Sequence, residues 1–492
     1  MKASQSGPAF SHLFFADDLV LFAKADHINC SAIRDVLDDF CSVSSQSISE
    51  ASRVFFSPNV DRDTRESLCD ILGFASTPEL GKYLGIPIKH GSTSSQDYNF
   101  ILDGMKQKLA GWKANLLSMV GRAVLIQAST TAIPSYVMQC SHLPVKILEG
   151  LDRVNRNFLW GSSETTRKIH WIGWQKVTRT KEEGGLNLQT ARGRNVALLA
   201  KLNWRFNNEK EAPWAKVLKV KYCNNRRLTS SNADRLPCSR IWRAMKKGRE
   251  VFNAGSMWMI GRDSKMSFWC GNWTKRGSLQ HLIQGPLNCE ESKWEVKDLM
   301  TDIGWNLNQI SFVLPSEVSL MIHTTLFPLV GRGRDSFAWR SNPRGVFYLR
   351  SVYSLVNGAA QDSSFSAKWI WKANTLPRIK TFMWQCAHNS IGVKGCLSRR
   401  GMGVDDKCPI CQEGVETVMH ALRDCSWVRS IWRHLGVLPS NQVFWRADLQ
   451  EWLVYNGNSN LNGTAGNLPW KMLFPFALWN LWKSRNGSVF RG

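Results

Sequence analysis

Residues 405–432 read DDKCPICQEGVETVMHALRDCSWVRSIW, and four of them constrain the local fold more than any other stretch. Cys408 and Cys411 are separated by two residues, a spacing whose tight turn aims both sulfurs at one point. His420 follows after eight more residues and Cys425 after a further four. Residues 416–423 read as helical, which puts His420 near a helix end and Cys425 just beyond it. Three thiolates and an imidazole close a tetrahedral site with no open position, the arrangement of structural zinc rather than of a catalytic metal. The plainer alternative is a set of buried thiols in a small helical domain. The chain's 13 cysteines are an odd number, mostly single in the sequence, and no secretory leader opens it. That usage predicts a reducing, intracellular compartment, the nucleus included, rather than a disulfide framework. No apolar run is long enough for a membrane span, so no membrane partner is expected.

The formal net charge of +24 is unevenly placed. Residues 1–140 are slightly acidic, whereas 141–260 and 261–492 are strongly basic. A field of this kind favours polyanions, and the 23 tryptophans interleaved with arginine suit base stacking beside phosphate contact. The competing reading makes the tryptophans ordinary core and the cations a solvated surface. RNA or DNA is the partner class that the charge predicts.

Near the start, SHLFFADDLVLFAKA (11–25) sets Asp17 and Asp18 between two apolar runs. The pattern predicts a β-hairpin with an acidic tip and packed arms. Two adjacent carboxylates repel unless a cation neutralises them, and Mg²⁺ or Mn²⁺ takes such hard oxygen ligands. An acidic turn without a metal is the alternative. Further on, residues 31–41 predict a helix with Ile33, Val36, Leu37 and Phe40 on one face. SRVFFS (52–57) and KYLGIPI (82–88) each predict a strand. Leu109, Trp112, Leu116, Met119, Val120 and Ala123 then share one helical face, limited by Pro134. Lys106, Lys108, Lys113 and Arg122 flank that face and are candidates for phosphate contact. Arg192 and Arg194 join them, on a helix introduced by the Gly184-Gly185 turn with Asn195, Leu198, Leu199 and Leu202 at helical spacing.

Together these stretches resemble reverse transcriptases of the non-LTR (LINE-like) retrotransposon type, common in plant genomes. The likeness rests on FADD between apolar runs, KYLGIPI (82–88), GWKANLLSMVGRAVLIQASTTAIPSYVM (111–138), FLWG (158–161) and EEGGLNL (182–188). It continues through WKANTLPRIKTFMW (371–384), the Cys/His stretch at 408–425 and WNLWKSRN (479–486), covering nearly the whole chain. It implies an α+β protein: a partial palm remnant (1–90), a helical thumb-like region (91–210) and a Trp-rich basic connection (211–365). A small, mainly helical reverse-transcriptase zinc-binding domain (366–435) and a helical tail (436–492) follow. It also implies that Asp17 is a catalytic metal ligand with Asp18 beside it, and that Cys408, Cys411, His420 and Cys425 hold zinc.

The departures predict a loss of function. The family's first catalytic aspartate and its fingers lie upstream of FADD, and only sixteen residues precede Asp17. The lysine usual before the serine of ISEASRVFFS is replaced, and the family's WxDxW pattern reads Trp269-Cys270-Gly271-Asn272-Trp273, without the acid. An RNase H domain often begins where this chain stops. The sequence is thus expected to be a truncated RNA-directed DNA polymerase fragment that binds nucleic acid without extending a primer alone, Asp17 and Asp18 being a relic. Mg²⁺ or Mn²⁺ would act only if that site were completed, and a partner chain supplying palm and fingers is not identifiable from sequence. A zinc-stabilised nucleic-acid-binding module without catalysis is the second reading. A metal-dependent nuclease ranks lowest, because no further spaced acidic set is apparent.

Overall fold

The computed structural model describes residues 7–88, 94–110, 116–163, 165–223, 238–261, 263–274, 276–301, 304–325, 335–342, 344–357, 367–459 and 468–490. Helices dominate, with three two-stranded antiparallel sheets among the described residues, an α+β composition. None of the described helices is long and apolar enough to cross a membrane. The chain divides into two compact units, each gathered from three segments: 1–98, 137–144 and 195–356 in one, and 99–136, 145–194 and 357–492 in the other.

In the first unit the acidic hairpin forms. Strands His12–Phe15 and Asp18–Leu21 pair with Phe15 opposite Asp18, and Ala16 takes a positive φ of 52° in the two-residue turn. The expectation of packed arms fails. Leu13, Phe14, Phe15, Leu19 and Leu21 are all exposed, Phe14 at 66%. Side chains of a two-stranded ribbon alternate between faces, so burial needs a second layer, and none covers the ribbon among the described residues. The helix expected over 31–41 runs His27–Ser44, with Asp26 accepting the Asn29 N–H at its start. Ile33 and Leu37 are half-buried while Val36 and Phe40 are exposed, so the contact face is narrower than the sequence pattern. Ile33 packs with Cys30, Leu68 and Leu72, the last two from helix Arg62–Leu72.

The two expected strands are corrected as well. SRVFFS contributes a single bridge, Val54 with Ser76, and KYLGIPI folds back on itself. Lys82–Tyr83 pairs with Ile86–Pro87 across Leu84 and Gly85, both at positive φ (49° and 75°). Two successive left-handed residues make a tight hairpin turn, which overrides the β propensity of the run.

The rest of the first unit is built on tryptophan. Trp269 and Trp273 are fully buried with Phe268, Leu299 and Ile322, and Trp339, the last residue of strand Ser336–Trp339, which pairs with Ser256–Met259, is fully buried too. Trp204 and Phe347 pack on Trp339 at ring separations of 6.2 and 4.8 Å. These indoles are core, not base-stacking platforms. Gly271 stands at the acid position of the family's WxDxW pattern, and the next residue, Asn272, accepts a hydrogen bond from the Arg340 guanidinium Nη2 at 3.0 Å. Burial holds the Arg340 pKa below its ordinary value, and its Nε is buried without a hydrogen-bond partner among the described residues. Asn272→Asp is therefore expected to convert a neutral acceptor to a charged one and stabilise the fold by about 1 kcal/mol. A rise of ~2–4 °C in the melting transition measures it, and no rise would show that desolvating the new carboxylate cancels the gain.

The second unit has the largest core. Trp384, Trp432, Trp452, Phe444 and Phe474 are all fully buried in one cluster. They belong to helices Pro377–Ala387, Ser426–His434, Leu449–Asn458, Gln442–Arg446 and Trp470–Phe490. Helix Asn99–Ala110 packs on Val145–Trp160. The single amphipathic helix expected through residues 109–123 is two elements: Asn99–Ala110 ends, and Met119–Leu125 begins under a Ser118 cap that accepts the Gly121 N–H. Trp112 lies outside the described residues. Pro134 starts rather than stops a helix, as the third residue of Ala132–Met138, where its missing N–H costs nothing.

Candidate metal centre

The Cys408-Pro409-Ile410-Cys411 turn is shaped by backbone. Cys408 donates its N–H to Gly414 O at 2.8 Å, Gln412 donates to Cys408 O at 3.0 Å, and Lys407 bridges Val415 across the loop. Gln412 carries a positive φ of 59°, letting the chain reverse just after the second thiol. His420 starts a wide helical turn, His420–Asp424, whose entry is capped by the Thr417 hydroxyl accepting the His420 N–H at 3.0 Å. Arg423, nearly buried, pins that turn. Its guanidinium pairs with Asp424 at 2.7 Å and donates to the carbonyls of Phe444 and Ala447 at 3.2 and 2.7 Å. Cys425 closes the turn with its N–H on His420 O and forms the N-cap of helix Ser426–His434.

The result brings all four sequence-derived ligands together. Their ligand atoms lie within 4.8 Å of one another, with Cys408 Sγ 4.0 Å from Cys425 Sγ and Cys411 Sγ 3.2 Å from His420 Nε2. A tetrahedral zinc with bonds of about 2.3 Å to sulfur needs sulfur atoms roughly 3.8 Å apart, so this donor set fits structural zinc. Cys408 and Cys425 are buried, Cys411 and His420 half-buried. Burial, reinforced by the neighbouring Cys408 and Cys411, pushes the Cys425 thiol up to about 11, against the Trp427 and Val428 N–H groups that favour its thiolate. Without a cation the cluster keeps that proton; a bound divalent metal supplies the charge that displaces it.

Sequence reasoning missed what holds the loop from outside. Glu416, fully buried between the Cys pair and His420, accepts Arg485 Nε at 2.8 Å on Oε1 and Nη2 at 2.5 Å on Oε2. It also takes the Lys394 N–H at 2.7 Å. Arg485 belongs to WNLWKSRN, and its guanidinium lies 5.2 Å over the Trp482 ring. EEGGLNL has a similar structural role: Gly184 O accepts Trp384 Nε1 and His388 Nε2, both at 2.7 Å. Gly185 has no room for a side chain, since a Cβ would stand 2.0 Å from Arg179 O. A charged residue inside a metal loop and a glycine pair before a helix were the available signals.

The other candidates do not converge. Asp17 and Asp18 are exposed on the hairpin, and among the described residues no third His, Cys, Asp or Glu joins them in a metal-sized group. Lys106, Lys108 and Arg192 are exposed on the second unit. Arg122 is half-buried against Gly161 and its pKa is lowered by burial. Arg194 is committed internally, donating to Ser135 Oγ and Gln189 Oε1 at 2.9 Å each. Lys113 lies outside the described residues.

Residues 347–432, which contain the four ligands, match the family described as zinc-binding in reverse transcriptase. The chain is similar to an Arabidopsis thaliana protein named for ribonuclease H, at 30% identity over 419 residues, or 82% of this chain and 66% of that protein. It is also similar to an uncharacterized mitochondrial protein of Arabidopsis thaliana, at 31% identity over 143 residues, 29% of this chain and 92% of the relative. The chain thus spans just under two thirds of the length of the first of these relatives. With the matching zinc-binding stretch and these likenesses, the chain belongs to the plant retroelement proteins related to reverse transcriptase.

Proposed function

We propose that this chain is a part of a retrotransposon-derived, RNA-directed DNA polymerase that binds RNA or DNA through its zinc-stabilised unit and does not itself add nucleotides. The closed Cys408/Cys411/His420/Cys425 set carries the reading. All four positions of a tetrahedral ion are taken by protein, so the metal holds structure and leaves none for a reacting oxygen. Exposed Lys106, Lys108 and Arg192 lie on the same unit, on a strongly basic chain. A relative named for ribonuclease H adds weight to a nucleic-acid partner. Asp17 and Asp18 could ligate Mg²⁺ or Mn²⁺ only as an exposed pair. A two-metal phosphoryl transfer needs further carboxylates to clamp attacking and leaving oxygens together. The palm, thumb and connection assignments of residues 1–365 belong to this proposal.

The test is primer extension on an RNA template with Mg²⁺ or Mn²⁺, run beside template binding across a salt series. The expected result is binding that weakens steeply with salt, as counterion release requires, and no extension. Extension lost in Asp17→Asn/Asp18→Asn would overturn the non-catalytic reading. Absence of salt-sensitive binding would overturn the nucleic-acid reading.

A further inference from the structure

Two cavities share a wall in the unit that bears the metal centre. The first, of about 410 Å³, is lined by Arg156, Trp171, Trp174, Lys176, His388 and Ser390, among others. The second, of about 370 Å³, is lined by Trp171, Gln385, Ser390, Trp482 and Asn486 with apolar Ile391 and Leu397. Their chemistry differs. Arg156 and Lys176 bring two cations to the first cavity, and Arg156 Nε is buried with no hydrogen-bond partner among the described residues. Asp152, the carboxylate whose charge Arg156 feels, is partly occupied by the Ala191 N–H at 3.0 Å. Burial and the charges of Lys176 and Arg179 lower the His388 pKa, against the Gly184 carbonyl bond that raises it. The second cavity is lined by the side-chain amides of Gln385 and Asn486 together with two indoles, a set suited to the polar edge and flat face of a base, although Asn486 Oδ1 also accepts Arg485 Nη1 at 3.0 Å.

Arg400 braces the shared wall. Arg400 lies 5.2 Å over the Trp171 ring and donates to the carbonyls of His170 and Trp171 at 3.0 and 2.6 Å. The Trp171 indole thus lines both the cationic and the amide side, with Arg400 against it.

We infer that these adjoining cavities bind one nucleotide step of a single-stranded nucleic acid, with a phosphate against Arg156 and Lys176 and a base beside Trp171 and Trp482. Each cavity is at the small end of ligand pockets, sized for a nucleotide rather than a duplex. An unpaired strand is the form that can splay a base into the second cavity. The inference rests on the nucleic-acid reading above and names the site that reading lacks.

Anisotropy titration of the zinc-loaded full chain with fluorescein-labelled oligo(U) and oligo(dT) tests it. Arg156→Gln/Lys176→Gln is expected to weaken binding ~10-fold or more, and Trp171→Ala similarly, with Trp171→Phe recovering most of the loss. The charge-matched control Lys265→Gln/Lys293→Gln should stay within about threefold of the unaltered chain. Equal losses in both double variants would mean diffuse charge alone binds, which overturns the site and leaves the nucleic-acid reading standing. No binding by the unaltered chain removes both. Because Trp171 borders the core, photocrosslinking of 5-bromouridine oligonucleotides to the unaltered chain gives a second measurement. An adduct at Trp171 or Trp482 supports the site, and adducts confined to other residues overturn it.

Discussion

Removing zinc from the full chain with a strong chelator, or replacing Cys425 by serine, is expected to lower the melting temperature of the metal-bearing unit by ~10 °C or more. Loss of a structural metal ranks among the few single changes worth roughly 4 kcal/mol or more, and each kcal/mol moves a domain of this size by about 2–4 °C. The loop gives the loss a route into the core. Cys425 begins helix Ser426–His434, which carries the fully buried Trp432, and the Trp432 indole donates to Leu422 O at 2.8 Å inside the metal-bearing turn. Releasing that turn removes the acceptor of a buried indole as well as the ion. Elemental analysis should give one zinc per chain, falling close to zero in Cys425→Ser, with loss of near-ultraviolet dichroism from the tryptophan cluster. An unchanged melt after complete chelation would sink the assignment.

The same centre fixes the sign of a pH effect. The metal-free protein keeps a proton on Cys425, whose thiol is pushed up to about 11, and zinc must displace that proton. Apparent zinc affinity should accordingly rise with pH and weaken on acidification. Competition with a chromophoric chelator at pH 6 and pH 8 measures it, and equal affinity at both would mean that the thiol is already ionised without metal.

The Cys/His cluster was legible in the sequence because four candidate ligands and their spacing are a local code: each residue's identity states its chemistry, and the turn and helix between them bring the four together. Helix Ala191–Asn208 was legible for a related reason, since Asn195, Leu198, Leu199 and Leu202 sit at 3.6-residue period and are all buried. What could not be read were outcomes decided by distant partners. KYLGIPI is a local exception: it has strand residues, but two left-handed residues at Leu84 and Gly85 turn it into a hairpin, which its β propensity hides. The apolar arms around Asp17 and Asp18 read as buried because hydrophobicity says nothing about whether a second layer is there to bury them. The tryptophans were ambiguous for the same reason: Trp269 and Trp384 are core, while Trp171 lines two cavities, and only the fold distinguishes them. Arg485 and Glu416 are 69 positions apart, and no period or spacing connects them.

That pair carries the second large expected effect. Arg485→Met should destabilise the chain by about 3–5 kcal/mol, because it strands a fully buried carboxylate inside the metal loop. The bidentate guanidinium satisfies both Glu416 oxygens, and methionine leaves the Lys394 N–H as the remaining donor to Oε2. The loss comes from the unpaired charge more than from the lost attraction, so neutralising the survivor should restore part of it. Glu416→Gln in the Arg485→Met background keeps an oxygen for the Lys394 N–H and removes the charge, and roughly 1–3 kcal/mol should return. Urea unfolding of both single variants, the double variant and the unaltered chain closes a cycle that isolates the coupling. A double variant no more stable than Arg485→Met would mean that packing of the long arginine stem over Trp482, 5.2 Å from its guanidinium, dominates instead. Restoration would establish that WNLWKSRN and the zinc loop are joined by charge, so that helix Trp470–Phe490 is part of the metal centre's support.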